Sequence, residues 1–261
     1  MNPQNENVTV LRFSGPNELT DAAARAWLES LAEMSSENRA FHVGLSGGRV
    51  ARTFFQAATQ LARKRREGLE SVEFFWADER CVPPGDPESN FGMANELLFR
   101  PLNLAPGRIH RIHGEESPVT EASQAQQELV QIVPANAQGT PVFDLLLLGM
   151  GEDGHTASLF PGETSEVIYS REFYRAVKGP KPPPDRITLG YAPIIAARQV
   201  WVLVFGGEKA AALRASLQPN SITPLGRIFR QRKSTVVFTD WAAVGEDPGK
   251  NLASHPLTLR E

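Results

Sequence analysis

Cysteine is almost absent: Cys81 is the only one in 261 residues. That excludes an internal disulfide framework and any cysteine-rich metal site. Long apolar runs are missing too. The longest, Phe143 to Met150, is interrupted by Asp144 and falls far short of the roughly 20 apolar residues a membrane helix needs. The chain opens Met1-Asn2-Pro3-Gln4-Asn5-Glu6-Asn7, with no basic region leading into an apolar stretch, so no secretory signal is expected in the chain as given. Neither charge is in excess: 27 basic against 30 acidic residues leave −3. Such a balance argues against a nucleic-acid binder and against a disordered acidic chain. These absences together lead us to expect a soluble cytoplasmic protein with neither nucleic acid nor membrane as partner.

What is present is a globular composition, with 41% hydrophobic and 22% charged residues. The length suits one large α/β domain or two small ones, with ample material for a core. Apolar β-rich runs at Val8–Phe13, Phe41–Leu45, Val72–Ala77, Phe143–Leu148, Val200–Phe205 and Thr235–Thr239 read as strands. Between them, helices are expected at Leu19–Met34, Val50–Arg66, Asn90–Phe99, Glu121–Val133 and Glu208–Leu217. Thr20 and Asp21 are expected to cap the first helix, and Pro101 to close the third. The second has Ala51, Phe54, Phe55, Ala58, Leu61 and Ala62 on one face. Phe143–Leu148 is nearly all apolar, as befits a central parallel strand buried on both sides. The alternation predicts an α/β fold: a doubly wound, mostly parallel open sheet with helices on both faces. One domain is expected over residues 1–261, with a small excursion around 160–190 whose only biased stretch is Pro180 to Pro184.

In such sheets ligands bind beyond the carboxyl ends of the strands, which directs attention to the loops there. Gly44-Leu45-Ser46-Gly47-Gly48 joins a strand to a helix. Two glycines permit close backbone approach and the helix start aims free N–H groups at an anion, although a plain turn would read the same way. No Gly-Lys-Ser/Thr follows, so it is not a nucleotide P-loop. Asp78-Glu79-Arg80-Cys81 is either a solvated turn or a site group, with Arg80 a fork for phosphate and Asp78 polarising a hydroxyl or water. Ser89-Asn90 is most simply a helix cap, and Cys81 a buried neighbour and not a nucleophile. The most informative loop runs Gly149-Met150-Gly151-Glu152-Asp153-Gly154-His155-Thr156-Ala157-Ser158-Leu159-Phe160-Pro161-Gly162. So many glycines around one histidine suggest a backbone shaped around a ligand, with His155 as general base; the plainer reading is a structural histidine. His110 and His113 lie three apart without a third ligand in view, so no metal is expected there. Arg63-Lys64-Arg65-Arg66 reads as a solvated helix end, and Lys209 as either a surface lysine or a second cation for a phosphate.

Taken in order, these segments resemble the 6-phosphogluconolactonase family. Pro183-Pro184-Asp185-Arg186-Ile187-Thr188-Leu189 and Gly206-Gly207-Glu208-Lys209-Ala210 are similar to further family segments. The resemblance implies a fold shared with the glucosamine-6-phosphate deaminases. It also implies hydrolysis of 6-phosphoglucono-1,5-lactone in the pentose phosphate pathway, with no metal and no organic cofactor. His155 would then be the general base and Asp78 a supporting residue. Ser46, Gly47, Gly48, Arg80 and Lys209 would bind phosphate, and Arg186 would supply another cation. The partner implied is the small sugar-phosphate lactone. Two departures are visible: Arg49-Val50-Ala51 stands where relatives commonly have Ser-Thr-Pro, and Ile194-Ile195-Ala196-Ala197-Arg198 lacks an asparagine often found there. A deaminase or isomerase on the same fold, a sugar-phosphate sensor, and a covalent route through Ser158 are the competing readings. The segment from Gly162 to Pro184 is a candidate lid.

Overall fold

A computed structural model describes residues 7–35, 39–64 and 68–245. Residues 1–6 of the polar N-terminus, and Arg65 and Arg66 of the basic run read above as a helix end, lie outside them. The strands are β1 (Val8–Phe13), β2 (Phe41–Leu45), β3 (Val72–Trp76), β4 (Asp78–Arg80), β5 (Leu145–Leu148), β6 (Tyr174–Lys178), β7 (Asp185–Leu189), β8 (Gln199–Val204) and β9 (Thr235–Asp240). Six of them form a wholly parallel sheet in the order β1-β9-β8-β5-β2-β3. Every residue of β2 and β5 is buried, as a strand with both sheet faces covered requires. The chain winds outward from β2 to β3 on one side, and from β5 through β8 to β9 on the other. The switch point therefore falls between β2 and β5, and the loops leaving those two strands open the crevice where such sheets bind ligands.

The helices are α1 (Pro16–Ser35), α2 (Gly48–Ala62), α3 (Asn90–Ala94), α4 (Arg100–Leu102), α5 (Pro118–Ile132), α6 (Ser165–Ile168), α7 (Tyr191–Ala196), α8 (Ala210–Ser216), α9 (Pro224–Gln231) and α10 (Trp241–Val244). α1 begins earlier than its apolar pattern suggested. Its start is tied by Ser14, whose N–H and hydroxyl both donate to Glu18, while Thr20 lies inside the helix and bonds back to Pro16 O. Pro101 does not close the third helix. A wider π turn (Asn95–Phe99) follows α3, and Pro101 then sits at the start of α4, where its missing N–H costs little. The chain turns off at Asn103, which adopts the left-handed conformation, φ 52°.

The second sheet, β4-β7-β6, is antiparallel and was not legible beforehand. It turns the segment after Gly162 from a free loop into α6, β6 and the hairpin that carries the Pro180–Pro184 stretch to β7. Its register sets Asp78 against Thr188, Glu79 against Ile187 and Arg80 against Arg186. Because side chains alternate along a strand, Asp78 and Arg80 share one face of β4 and Glu79 takes the other.

One buried cation holds the far end of the main sheet together. The Arg232 guanidinium donates to the carbonyls of Ile194, Ile195 and Ala197 at 2.7 to 3.0 Å, and to Ser234 O at 3.2 Å. The first three are orphan carbonyls at the end of α7, the segment in which the expected asparagine is missing.

Candidate functional site

One cleft at the switch point is lined by Ser46, Gly47, Gly48, Asp78, Arg80, His155, Arg186 and Lys209, all eight residues singled out in the sequence. It is open to solvent, and the empty space within and at its mouth amounts to about 570 Å³. Arg49, Asn90, Gly149, Met150, Gly151, Thr156 and Ala157 also contribute to its wall. Four of the lining side chains, Arg49, Arg80, Arg186 and Lys209, are cations, against the single carboxylate of Asp78. A locally cationic cleft in a chain of net charge −3 fits an anionic ligand.

Each wall has a local cause. Gly44 lets β2 approach β5, since a Cβ there would overlap Leu146. Gly48, at φ +89°, turns the chain into α2, whose first turn carries no acidic residue and no side-chain cap, leaving its N–H groups unclaimed by side chains. Buried Glu79, on the opposite face of β4 from the cleft, accepts from the N–H groups of Arg80, Asn90 and Phe91 and from Ser89 Oγ. It thereby pins the start of α3 beneath the site. Burial pushes its carboxyl up to about 7, with those backbone donors pulling the other way. Asn90 spans from there to the cleft: its amide donates to Asp78 O at 2.9 Å and its side chain fills the space a Cβ at Gly47 would need. Ser89 does cap α3, accepting from Gly92 N, but Asn90 does more than cap.

Asp78 is buried and accepts a 2.7 Å hydrogen bond from Ser158 Oγ. Ser158 is itself fully buried and is not among the residues lining the cleft, which argues against a covalent route through it. Arg80 and Arg186 stand directly opposite in the β4–β7 register. Like charges in that relation destabilise a sheet unless an anion is shared. Arg80 is held by Glu88 at 2.9 Å and Arg186 by the carbonyls of Pro183 and Lys181, with Phe160 beneath its guanidinium. Burial lowers the Arg186 pKa, and the neighbouring Arg80 charge adds to the effect. The buried Ser46 hydroxyl and Arg80 Nε have no hydrogen-bond partner among the described residues. Buried unpaired polar atoms are costly, and of the six among the described residues these two belong to residues lining the cleft.

His155 sits on a loop of tight turns, with Gly151 N bonded to His155 O and Gly154 at φ +80°. A side chain at Gly151 would overlap the imidazole. The residue missed in the sequence is Asp153: its Oδ1 lies 2.5 Å from His155 Nδ1 and also accepts the His155 N–H at 3.1 Å. Burial works against the Asp153 charge, but the His155 backbone and ring donors outweigh it and hold the carboxyl below its ordinary range. The sequence signal for it is an acid two residues before the histidine. Ala157 adopts φ +49°, a strained value for a residue with a Cβ, two positions beyond.

The other described histidines are engaged elsewhere. His113 is bound to buried Glu121, and His110 lies between Glu128 at 2.7 Å and Glu73 at 2.9 Å, stacked on Phe75. Among the described residues no group of His, Cys, Asp and Glu is arranged to hold a metal ion. Burial opposes the His110 charge, but Glu128 and Glu73 prevail and raise its pKa. A group raised on folding stabilises most below its unfolded value of about 6.5, and that contribution is lost as pH rises through the folded value. The thermal midpoint should therefore fall as pH rises above about 6.5, and His110→Gln should flatten that slope. An equal slope in the variant would remove His110 as its source.

Fold and cleft define a doubly wound α/β protein with a cationic crevice and a carboxylate-held histidine at its switch point. A family profile described as glucosamine-6-phosphate isomerases/6-phosphogluconolactonase matches residues 14–238. The chain belongs to that family. It is 34% identical over 241 residues to the 6-phosphogluconolactonase of Streptomyces coelicolor, covering 88% of this chain and 91% of that one. The crystal structure of 6-phosphogluconolactonase from Leishmania guyanensis superposes with a TM-score of 0.78 at 26% identity, over 94% of this chain and 99% of the other. A monomeric glucosamine-6-phosphate deaminase, 21% identical, shares the fold with a TM-score of 0.75 over 92% of this chain and 99% of its own. No helix among the described residues is long and apolar enough to cross a membrane.

Proposed function

We propose that the protein hydrolyses 6-phosphoglucono-1,5-lactone to 6-phosphogluconate, the lactone-opening step of the pentose phosphate pathway, with His155 as general base. The observation that carries this reading is the convergence, in one cationic cleft, of an imidazole fixed by Asp153 and unpaired donors suited to a phosphate. The names of the relatives support the same chemistry.

The substrate phosphate lies at the start of α2, against the backbone of Gly47 and Gly48 and the Ser46 hydroxyl, with Arg80, Arg186 and Lys209 supplying charge. This orients the lactone ring toward His155. Asp153 accepts from Nδ1–H and leaves Nε2 as the basic nitrogen. Water attacks the lactone carbonyl carbon while Nε2 takes its proton. The tetrahedral intermediate then expels the ring oxygen, which receives that proton as the carbon–oxygen bond breaks. One water is consumed and the imidazole returns to its neutral form. Asp78, kept in place by Ser158 Oγ and lining the cleft, orients a substrate hydroxyl or the water.

The test is 6-phosphogluconate formation from freshly made lactone, counted above spontaneous hydrolysis. A large excess rate is expected, and Arg80→Ala should raise KM about tenfold or more by removing a charged hydrogen-bond donor. No excess, with glucosamine 6-phosphate deaminated instead, would reassign the activity. Inertness toward both with tight phosphosugar binding would make it a sensor.

A further inference from the structure

Arg49 has no part in the scheme above. It is the second residue of α2, where a cation is electrostatically misplaced beside free N–H groups that already present positive charge. Its side chain nevertheless lines the cleft. Nη2 lies 2.5 Å from Glu208 Oε1 and the guanidinium stands over Phe205, 5.7 Å from the ring centroid. The pair joins residues 159 positions apart and so bridges the two loops that flank Lys209 and the Gly47-Gly48 turn. The side chains are 69% and 39% exposed, so this ion pair costs little to exchange for another. Lys209, next in sequence to Glu208, feels the crowding: burial first, then the Arg49 charge, lower its pKa.

We propose that Arg49 is a specificity-determining residue for the phosphate of the substrate, and that Glu208 is the counter-anion it gives up when that phosphate binds. The inference rests on the phosphorylated-lactone reading of the cleft. A phosphate dianion offers Arg49 two negative charges and several oxygens in place of one carboxylate, and the planar guanidinium matches two of those oxygens at once. It also relieves the repulsion among Arg49, Lys209, Arg80 and Arg186. Glu208, already part-exposed, returns to water. When the product leaves, the same carboxylate recaptures Arg49.

The two residues should respond with opposite sign. Arg49→Ala is expected to weaken inorganic phosphate binding, titrated calorimetrically, by about tenfold or more. It should lower by a similar factor the ratio of kcat/KM for the phosphorylated lactone to that for unphosphorylated glucono-1,5-lactone. Arg49→Lys, with charge but no fork, should recover part of the loss. Glu208→Gln should tighten phosphate about two- to fivefold, the scale of an exposed ion pair. Arg49→Ala binding phosphate like the wild type would overturn the proposal. So would weaker binding in Glu208→Gln, because Glu208 would then be a support and not a competitor. Both positions are exposed, so neither variant should impair folding. A wild type without lactonase activity would sink the reaction reading, while the phosphate titrations would still decide the role of Arg49.

Discussion

Replacing His155 with Ala should lower kcat by about 10²–10⁴-fold, the usual worth of a positioned general base. Affinity for 6-phosphogluconate should change far less, because the phosphate-binding groups proposed here come from other loops. The split is the informative part. A merely structural histidine would carry affinity and stability down with it, since its loop packs against Thr223 and Phe160. Asp153→Asn separates the two roles further. It leaves an oxygen able to accept from Nδ1–H but removes the charge that favours the imidazolium formed during attack. Its kcat should fall, by less than in His155→Ala, with KM nearly unchanged. An Asp153→Asn enzyme with wild-type kcat would detach the carboxylate from the proton transfer. An unimpaired His155→Ala enzyme would remove the base.

The largest effect on stability is expected at Arg232. Burial lowers its pKa to about 10, so it remains a cation at neutral pH while satisfying carbonyls that no other side chain reaches among the described residues. Arg232→Ala orphans several buried carbonyls at once and should cost about 3 kcal/mol or more. Arg232→Lys keeps the charge but not the fork, and should recover only part. Urea unfolding with an unchanged m value would report this as a lower midpoint. A loss below about 1 kcal/mol would mean that water replaces the guanidinium at little cost. Catalysis in the surviving folded fraction should be little affected, since no cleft residue touches Arg232.

Buried Asp144 shows how far sequence reading reaches. It was visible as the one charge interrupting an apolar strand. Only the structure shows it gathering Arg39, the His42 N–H and Arg198 at the entrance to β5. Burial disfavours its charge, but His42 and Arg39 overcome this and bring its pKa down to about 2.

The parallel sheet, its central strand and the three site loops were legible because they rest on local physics. Apolar runs that alternate with helical periodicity have few ways to bury themselves, and glycines at strand ends mark where the backbone must bend. The second sheet was not legible. β4 has three residues, all charged, and β6 and β7 flank a proline-rich turn, so neither hydrophobicity nor period announces them. What that sheet decides is the site's electrostatics. It sets Arg80 against Arg186 and carries the Asp78 that Ser158 reaches over 80 positions, while connections of the main sheet bring Arg49 to Glu208 over 159. Composition and motif determined which groups this protein has for chemistry. Their partners were decided by chain crossings between distant segments, because a hydrogen bond or ion pair is satisfied by proximity in space, on which spacing along the chain is silent.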